Sequence, residues 1–84
     1  MELKFSFFNR PKLSDFYTHY KDNFVVCKIE IYCEDLFTRY QMLEINKSDF
    51  KSEDAFEEFL KNNDNLRVFN VFTAYGGVII KCTF

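Results

Sequence analysis

Three cysteines at positions 27, 33 and 82, one histidine at 19, and the acids Glu53, Asp54, Glu57 and Glu58 are the residues of this 84-residue chain whose types could do chemistry. Cys27 and Cys33 joined by His19 would make a soft-donor set for a metal ion. Their spacing speaks against it. Both cysteines fall in one alternating apolar segment, where six residues of extended chain span about 20 Å, too far for two ligands of a single ion. Buried thiols that fill a core are the expectation, with no metal. A histidine acting as general base needs a nucleophile or a carboxylate at a useful spacing, and His19 stands among Tyr17, Thr18 and Tyr20. It is expected on a solvated helix face. The four acids follow the exposed face of an amphipathic helix, where they serve as solubilising charge. Gly76-Gly77 is the only glycine pair, so no phosphate-cradling loop precedes a helix. The chain therefore reads as a non-enzyme that needs no cofactor.

Composition narrows the classes further. A formal net charge of −2 and only three arginines argue against a protein whose task is to neutralise phosphates, so nucleic acid is not the expected partner. An odd number of cysteines within strand patterns points to reduced thiols and a cytoplasmic location rather than to disulfides. No apolar run approaches the ~18 residues of a membrane span, so no membrane is implied. Two glycines and one proline leave no linker or low-complexity tract, and residues 1–84 are expected to form one domain. A domain this small needs a dense core, and the twelve phenylalanines supply it. The abundance of residues with AT-rich codons leans weakly towards a mobile genetic element as the source.

Period and punctuation locate the elements that must position these residues. Residues 2–8 alternate, with Leu3, Phe5 and Phe7 on one side, and predict a first strand with one buried face. Asn9-Arg10-Pro11 breaks it, Ser14 and Asp15 predict the start of a short helix over 15–22, and Asn23 its stop. Residues 24–33 predict a strand with Val25, Cys27, Ile29, Ile31 and Cys33 on its inner side and Lys28, Glu30 and Tyr32 outside. Residues 36–45 predict its hairpin partner across a Glu34-Asp35 turn or a slightly longer loop. In the tight-turn register Cys33 meets Leu36, Ile31 meets Thr38, Ile29 meets Tyr40, and Glu30 lies opposite Arg39. Ser52 predicts the cap of a second helix over 53–62 with Phe56, Phe59 and Leu60 as its apolar stripe. Residues 66–74 and 78–84 predict a closing hairpin with Gly76-Gly77 as its central pair, which sets Thr73 across from Ile80 and Val71 across from Cys82.

The order β-α-β-β-α-β-β predicts an α+β fold, an antiparallel sheet with two helices on one face, ferredoxin-like (split βαβ) with an extra C-terminal strand. The RNA recognition motif shares that plan and stacks bases on aromatics of its central strands. Its signature is not carried here, because Leu36-Phe37-Thr38-Arg39-Tyr40-Gln41 has no glycine and Ser6 stands where an outward aromatic is wanted.

The open sheet face is then the expected working surface. Tyr32 beside Phe37, next to a Glu30–Arg39 pair, has the composition of an interface hot spot. Glu53, Asp54, Glu57 and Glu58 would add charge complementarity and on-rate. The expectation is a small protein-binding module that docks on a larger protein or complex, in the manner of a phage- or plasmid-encoded accessory or inhibitor protein. A homodimer is a further option. The alternative is a single-stranded nucleic-acid binder that stacks bases on Tyr32 and Phe37, with Lys4, Lys28 and Arg39 on the phosphates.

Overall fold

Alternation along one central strand lets it serve two surfaces at once, a greasy side for the core and a polar side for the open face. A computed structural model of the chain describes residues 2–20, 26–74 and 77–84. Its elements are β1 (Glu2–Lys4), α1 (Leu13–Tyr20), β2 (Val26–Glu34), β3 (Arg39–Asn46), α2 (Glu53–Asn62), β4 (Arg67–Ala74) and β5 (Gly77–Thr83). Short 3-10 turns at Phe7–Asn9 and Lys47–Asp49 interrupt the connections. The result is a small mixed α+β domain of two helices and a five-stranded sheet.

The strands lie in the order β1-β4-β5-β2-β3. Neighbours are antiparallel except β2 and β5, which run parallel, so the sheet is mixed rather than antiparallel throughout. The last strand is the cause. β5 pairs with β2 from Val26↔Gly77 to Tyr32↔Thr83 and so separates β2 from β4, which leaves β1 at the far edge. A ferredoxin-like plan is not confirmed by this order.

One inner surface gathers Cys27, Ile29 and Ile31 of β2, Val78, Ile80 and Cys82 of β5, and Val68 and Val71 of β4. Leu13, Phe16 and Tyr17 of α1 and Phe56 and Leu60 of α2 close over it, so both helices cover the same side of the sheet. Each large apolar side chain buried there contributes about 1.5–3 kcal/mol against the entropy of ordering the chain. Phe56 anchors the helix layer, with the rings of Tyr17 at 5.1 Å and Phe50 at 5.2 Å set edge-on to it.

Helix α2 starts where its cap predicts, with Ser52 Oγ accepting from the Ala55 N–H at 3.1 Å. Helix α1 starts two residues earlier than expected, at Leu13, and Ser14 is not its cap. Ser14 Oγ instead donates to Asp64 Oδ1 at 2.8 Å. The early start has a backbone cause, because the segment before the helix is tied to the chain entering β4. Val68 N–H donates to the Pro11 carbonyl at 2.9 Å and Leu13 N–H to the Leu66 carbonyl at 3.0 Å. That pairing also cuts β1 short. With Pro11–Leu13 occupying residues 66–68, the chain after Phe5 is pushed off the sheet, and Phe7, expected inside, is exposed.

Both hairpin registers differ from expectation. Cys33 pairs with Tyr40 and Glu34 with Arg39, so residues 35–38 form the connection, fixed by Asp35 Oδ1 accepting from the Phe37 and Thr38 N–H groups at 2.8 Å each. Further along, a bulge between Ile31 and Tyr32 shifts the pairing to Ile31↔Leu43 and Glu30↔Glu44. Phe37 is therefore a loop residue, and Arg39 does not face Glu30. In the closing hairpin Val71 pairs with Ile80 and Ala74 with Gly77, so Gly77 opens β5 rather than sitting within the turn. Tyr75 and Gly76 of that turn, and the expected helix stop at Asn23, lie outside the described residues. The described helices include none long and apolar enough to cross a membrane.

Candidate functional site

The sheet face opposite the helices carries a chain of ion pairs built from alternate residues of β2 and their neighbours. Glu30 stands at its centre with only 9% of its surface exposed. Tyr32 donates its hydroxyl to Glu30 Oε1 at 2.8 Å, while Lys28 and Lys81 bring their ammonium groups to 3.9 Å from the carboxylate. Lys28 also reaches Glu44 at 3.1 Å, which neutralises the like-charge Glu30↔Glu44 pairing across the ladder. Burial, followed by the Glu30 carboxylate, pushes the Tyr32 phenol up to about 12.

A second cluster closes the end of this face. Glu34 takes Arg10 in a two-pronged contact, Nη1 to Oε1 at 2.9 Å and Nη2 to Oε2 at 3.3 Å, and also accepts from Arg39 Nε and Nη2. Arg10 adds a bond to Thr83 Oγ1 at 3.2 Å. The two guanidiniums, Arg10 first, hold the Glu34 carboxyl down at about 2. Phe69, displaced by a bulge in β4, offers its ring to both cations, with Arg39 at 4.0 Å and Arg10 at 5.5 Å from the centroid and Tyr32 edge-on at 5.4 Å. Two of the expected partner-binding residues, Tyr32 and Glu30, are thus engaged within the chain. Arg39 shares in the same network and keeps part of its surface.

What stands free lies just beyond that cluster, at the end of the sheet where β2 and β5 finish side by side. Leu36 and Phe37 on the hairpin tip are 92% and 93% exposed, and Phe8 on the 3-10 turn is 91% exposed. Phe7 and Phe84 are largely exposed too. Arg10 joins the turn to Glu34 and Thr83, which puts all of these at one end. Phe7, Phe8, Arg10, Arg67, Thr83 and Phe84 line a groove of about 410 Å³ there. All three arginines of the chain gather at this end. Of the expected anchors only Phe37 belongs wholly to the free surface. Strand-like alternation hides Phe7 in the sequence, whereas Leu36-Phe37 directly after Glu34-Asp35 is a readable sign of an apolar loop tip.

The acids of α2 divide. Asp54 and Glu58 are exposed, and Glu57 is half-buried beside Ser14 and Tyr17. Glu53 works inside the chain, accepting from the buried Tyr17 hydroxyl at 2.6 Å and pairing with Lys47 at 2.7 Å. Burial and the Glu53 bond push the Tyr17 phenol up to about 12. The spacing of Leu13, Phe16 and Tyr17 as i, i+3, i+4 was the signal for this buried tyrosine. Burial drives the Cys27 thiol to about 12 and raises Cys82 further, so neither supplies a thiolate at neutral pH. Among the described residues, no three His, Cys, Asp or Glu side chains converge as a metal site requires.

No family model, curated protein or solved structure matches the chain.

Proposed function

We propose that the chain is a non-catalytic protein-binding module whose docking surface is the apolar, arginine-bearing end formed by Phe7, Phe8, Leu36, Phe37 and Phe84. The observation that carries this reading is the exposure of those five large side chains together at one end of the sheet. Contiguous apolar surface rimmed by charge is what partner sites present, and aromatics with arginine dominate their binding energy. Arg67, exposed at the groove, favours a partner that offers an acidic group beside an apolar patch. Such a module acts as an accessory or inhibitor protein on a larger protein or complex, and its free thiols, Cys27 and Cys82 buried and Cys33 half-buried, suit a reducing cytoplasm.

The nucleic-acid alternative has less to stand on. Of its expected phosphate contacts Lys4, Lys28 and Arg39, the last two are occupied by Glu44, Glu30 and Glu34, Lys4 stands apart on the edge strand β1, and Tyr32 is half-buried against Phe69. The deciding experiment compares capture from host lysate by the wild type with capture by the Leu36→Ser/Phe37→Ser and Phe8→Ser variants. One stoichiometric partner retained by the wild type and lost from the variants, with unchanged melting curves, is expected. Equal capture by all three removes this surface. Tight binding of a labelled oligonucleotide that collapses as salt rises would favour the alternative.

A further inference from the structure

We propose that a second copy of this chain adds antiparallel to the free edge of β3, joining two sheets into one of ten strands. Strand β3 has a hydrogen-bonded neighbour on one side only, β2. Its other row of N–H and C=O groups is a template for another strand. Natural edges are usually blunted by brevity, proline, charged side chains, bulges or a covering element. This one is eight residues long, Arg-Tyr-Gln-Met-Leu-Glu-Ile-Asn, without proline, and every residue from Arg39 to Glu44 is exposed.

The occupant is specified by the strand's own pattern. A two-fold axis through the sheet between Gln41 and Met42 sets Arg39 against Glu44 of the second copy, Tyr40 against Leu43, and Gln41 against Met42, each twice. In a regular strand that register would fail, because residues an odd number apart point to opposite faces. The bulge repairs it. Met42 is the extra residue between Gln41, paired with Tyr32, and Leu43, paired with Ile31. The inserted residue puts Arg39 and Glu44 together on the open face and Tyr40 and Leu43 together on the helix face. The side chains of Arg39 and Glu44 keep 41% and 44% of their surface exposed despite their bonds to Glu34 and Lys28. Tyr40 and Leu43 lie half-exposed with no helix over them. Opposite charges and aromatic–aliphatic pairs are the cross-strand combinations that stabilise a ladder. The ladder leaves Phe7, Phe8 and Phe84 uncovered, while the Leu36-Phe37 tip of the proposed docking surface leads directly into it.

Sedimentation equilibrium from about 1 μM to about 1 mM tests the proposal, with wild type expected to move towards twice the monomer mass across that range. Arg39→Glu alone and Glu44→Arg alone each set like charges face to face twice and are expected to weaken association about tenfold or more. The double reversal restores association to near wild type, although both intramolecular pairs stay reversed, a result that misfolding cannot produce. Leu43→Lys, at an already half-exposed position, is expected to leave a monomer with a native circular dichroism spectrum. A wild type that remains monomeric at about 1 mM overturns the proposal. So does a dimer indifferent to Leu43→Lys, a double reversal that restores nothing, or a dimer broken by Phe8→Ser instead, the last of which would move self-association to the sheet end.

Discussion

Glu34 closes the end of the open face, because one carboxylate holds two guanidiniums, Arg10 from 24 residues before it and Arg39 from 5 residues after. Its folded value lies near 2 against an ordinary 4.5, so its stabilising effect is complete above about pH 4.5 and is lost as pH falls towards 2. Glu34→Gln should cost about 1–2 kcal/mol at neutral pH, allowing for partial solvent screening. Urea unfolding at pH 7 and pH 3 checks this. Wild type should lose clearly more stability between the two than the variant, and parallel losses would place the acid sensitivity elsewhere. Some slope should survive the substitution, since Asp35 is also held below its ordinary range by the Phe37 and Thr38 N–H groups. The thiols make a second contrast at this scale. Cys27 and Cys82 are buried and Cys33 is half-buried across from Tyr40. Iodoacetamide on the native protein should therefore modify Cys33 first, and all three only in urea; early labelling of Cys27 would mean that its part of the core opens.

At the scale of single elements, local signals decided well wherever the cause was itself local. The alternation of Cys27, Ile29 and Ile31 with Lys28, Glu30 and Tyr32 located both faces of β2, and the Ser52 cap with Phe56 and Leu60 located α2. Ser52→Ala should cost about 1 kcal/mol, read as a lower melting temperature with an unchanged urea m-value. An effect near zero would show that Glu53 and Asp54 at the helix start hold it without the cap. Where a side chain or a distant segment set the boundary, spacing misled. Glycine suggested the closing turn one residue late, and no glycine marked the 35–38 connection, which the Asp35 carboxylate organises instead. Period two carried β1 past Phe5 because nothing in residues 2–8 reveals that Pro11–Leu13 will take the backbone of Leu66 to Val68. The free surface suffered most from this. Phe7 looked inward by alternation and Phe37 looked like a strand residue, and both stand in solvent.

At the scale of the whole molecule, the arrangement of strands depends on a pairing between residues about 50 apart, Ile29 with Ile80, that no local pattern announces. Such a contact costs loop-closure entropy before it returns any burial, yet here it holds the sheet together. β5 alone bridges the β1–β4 half to the β2–β3 half, and it contributes Val78, Ile80 and Cys82 to the single core. Removing residues 75–84 should therefore do more than thin the sheet by one strand. It leaves the inner edge of β2 unpaired, uncovers Ile29 and Ile31, and separates α1 and α2 from much of the surface they cover. A chain of residues 1–74 should show no cooperative thermal transition and no slowly exchanging amides in β2. A cooperative melt in that shortened chain would mean that the β2–β3 hairpin and the helices form a stable unit alone, and that the parallel pairing is added to a core already made.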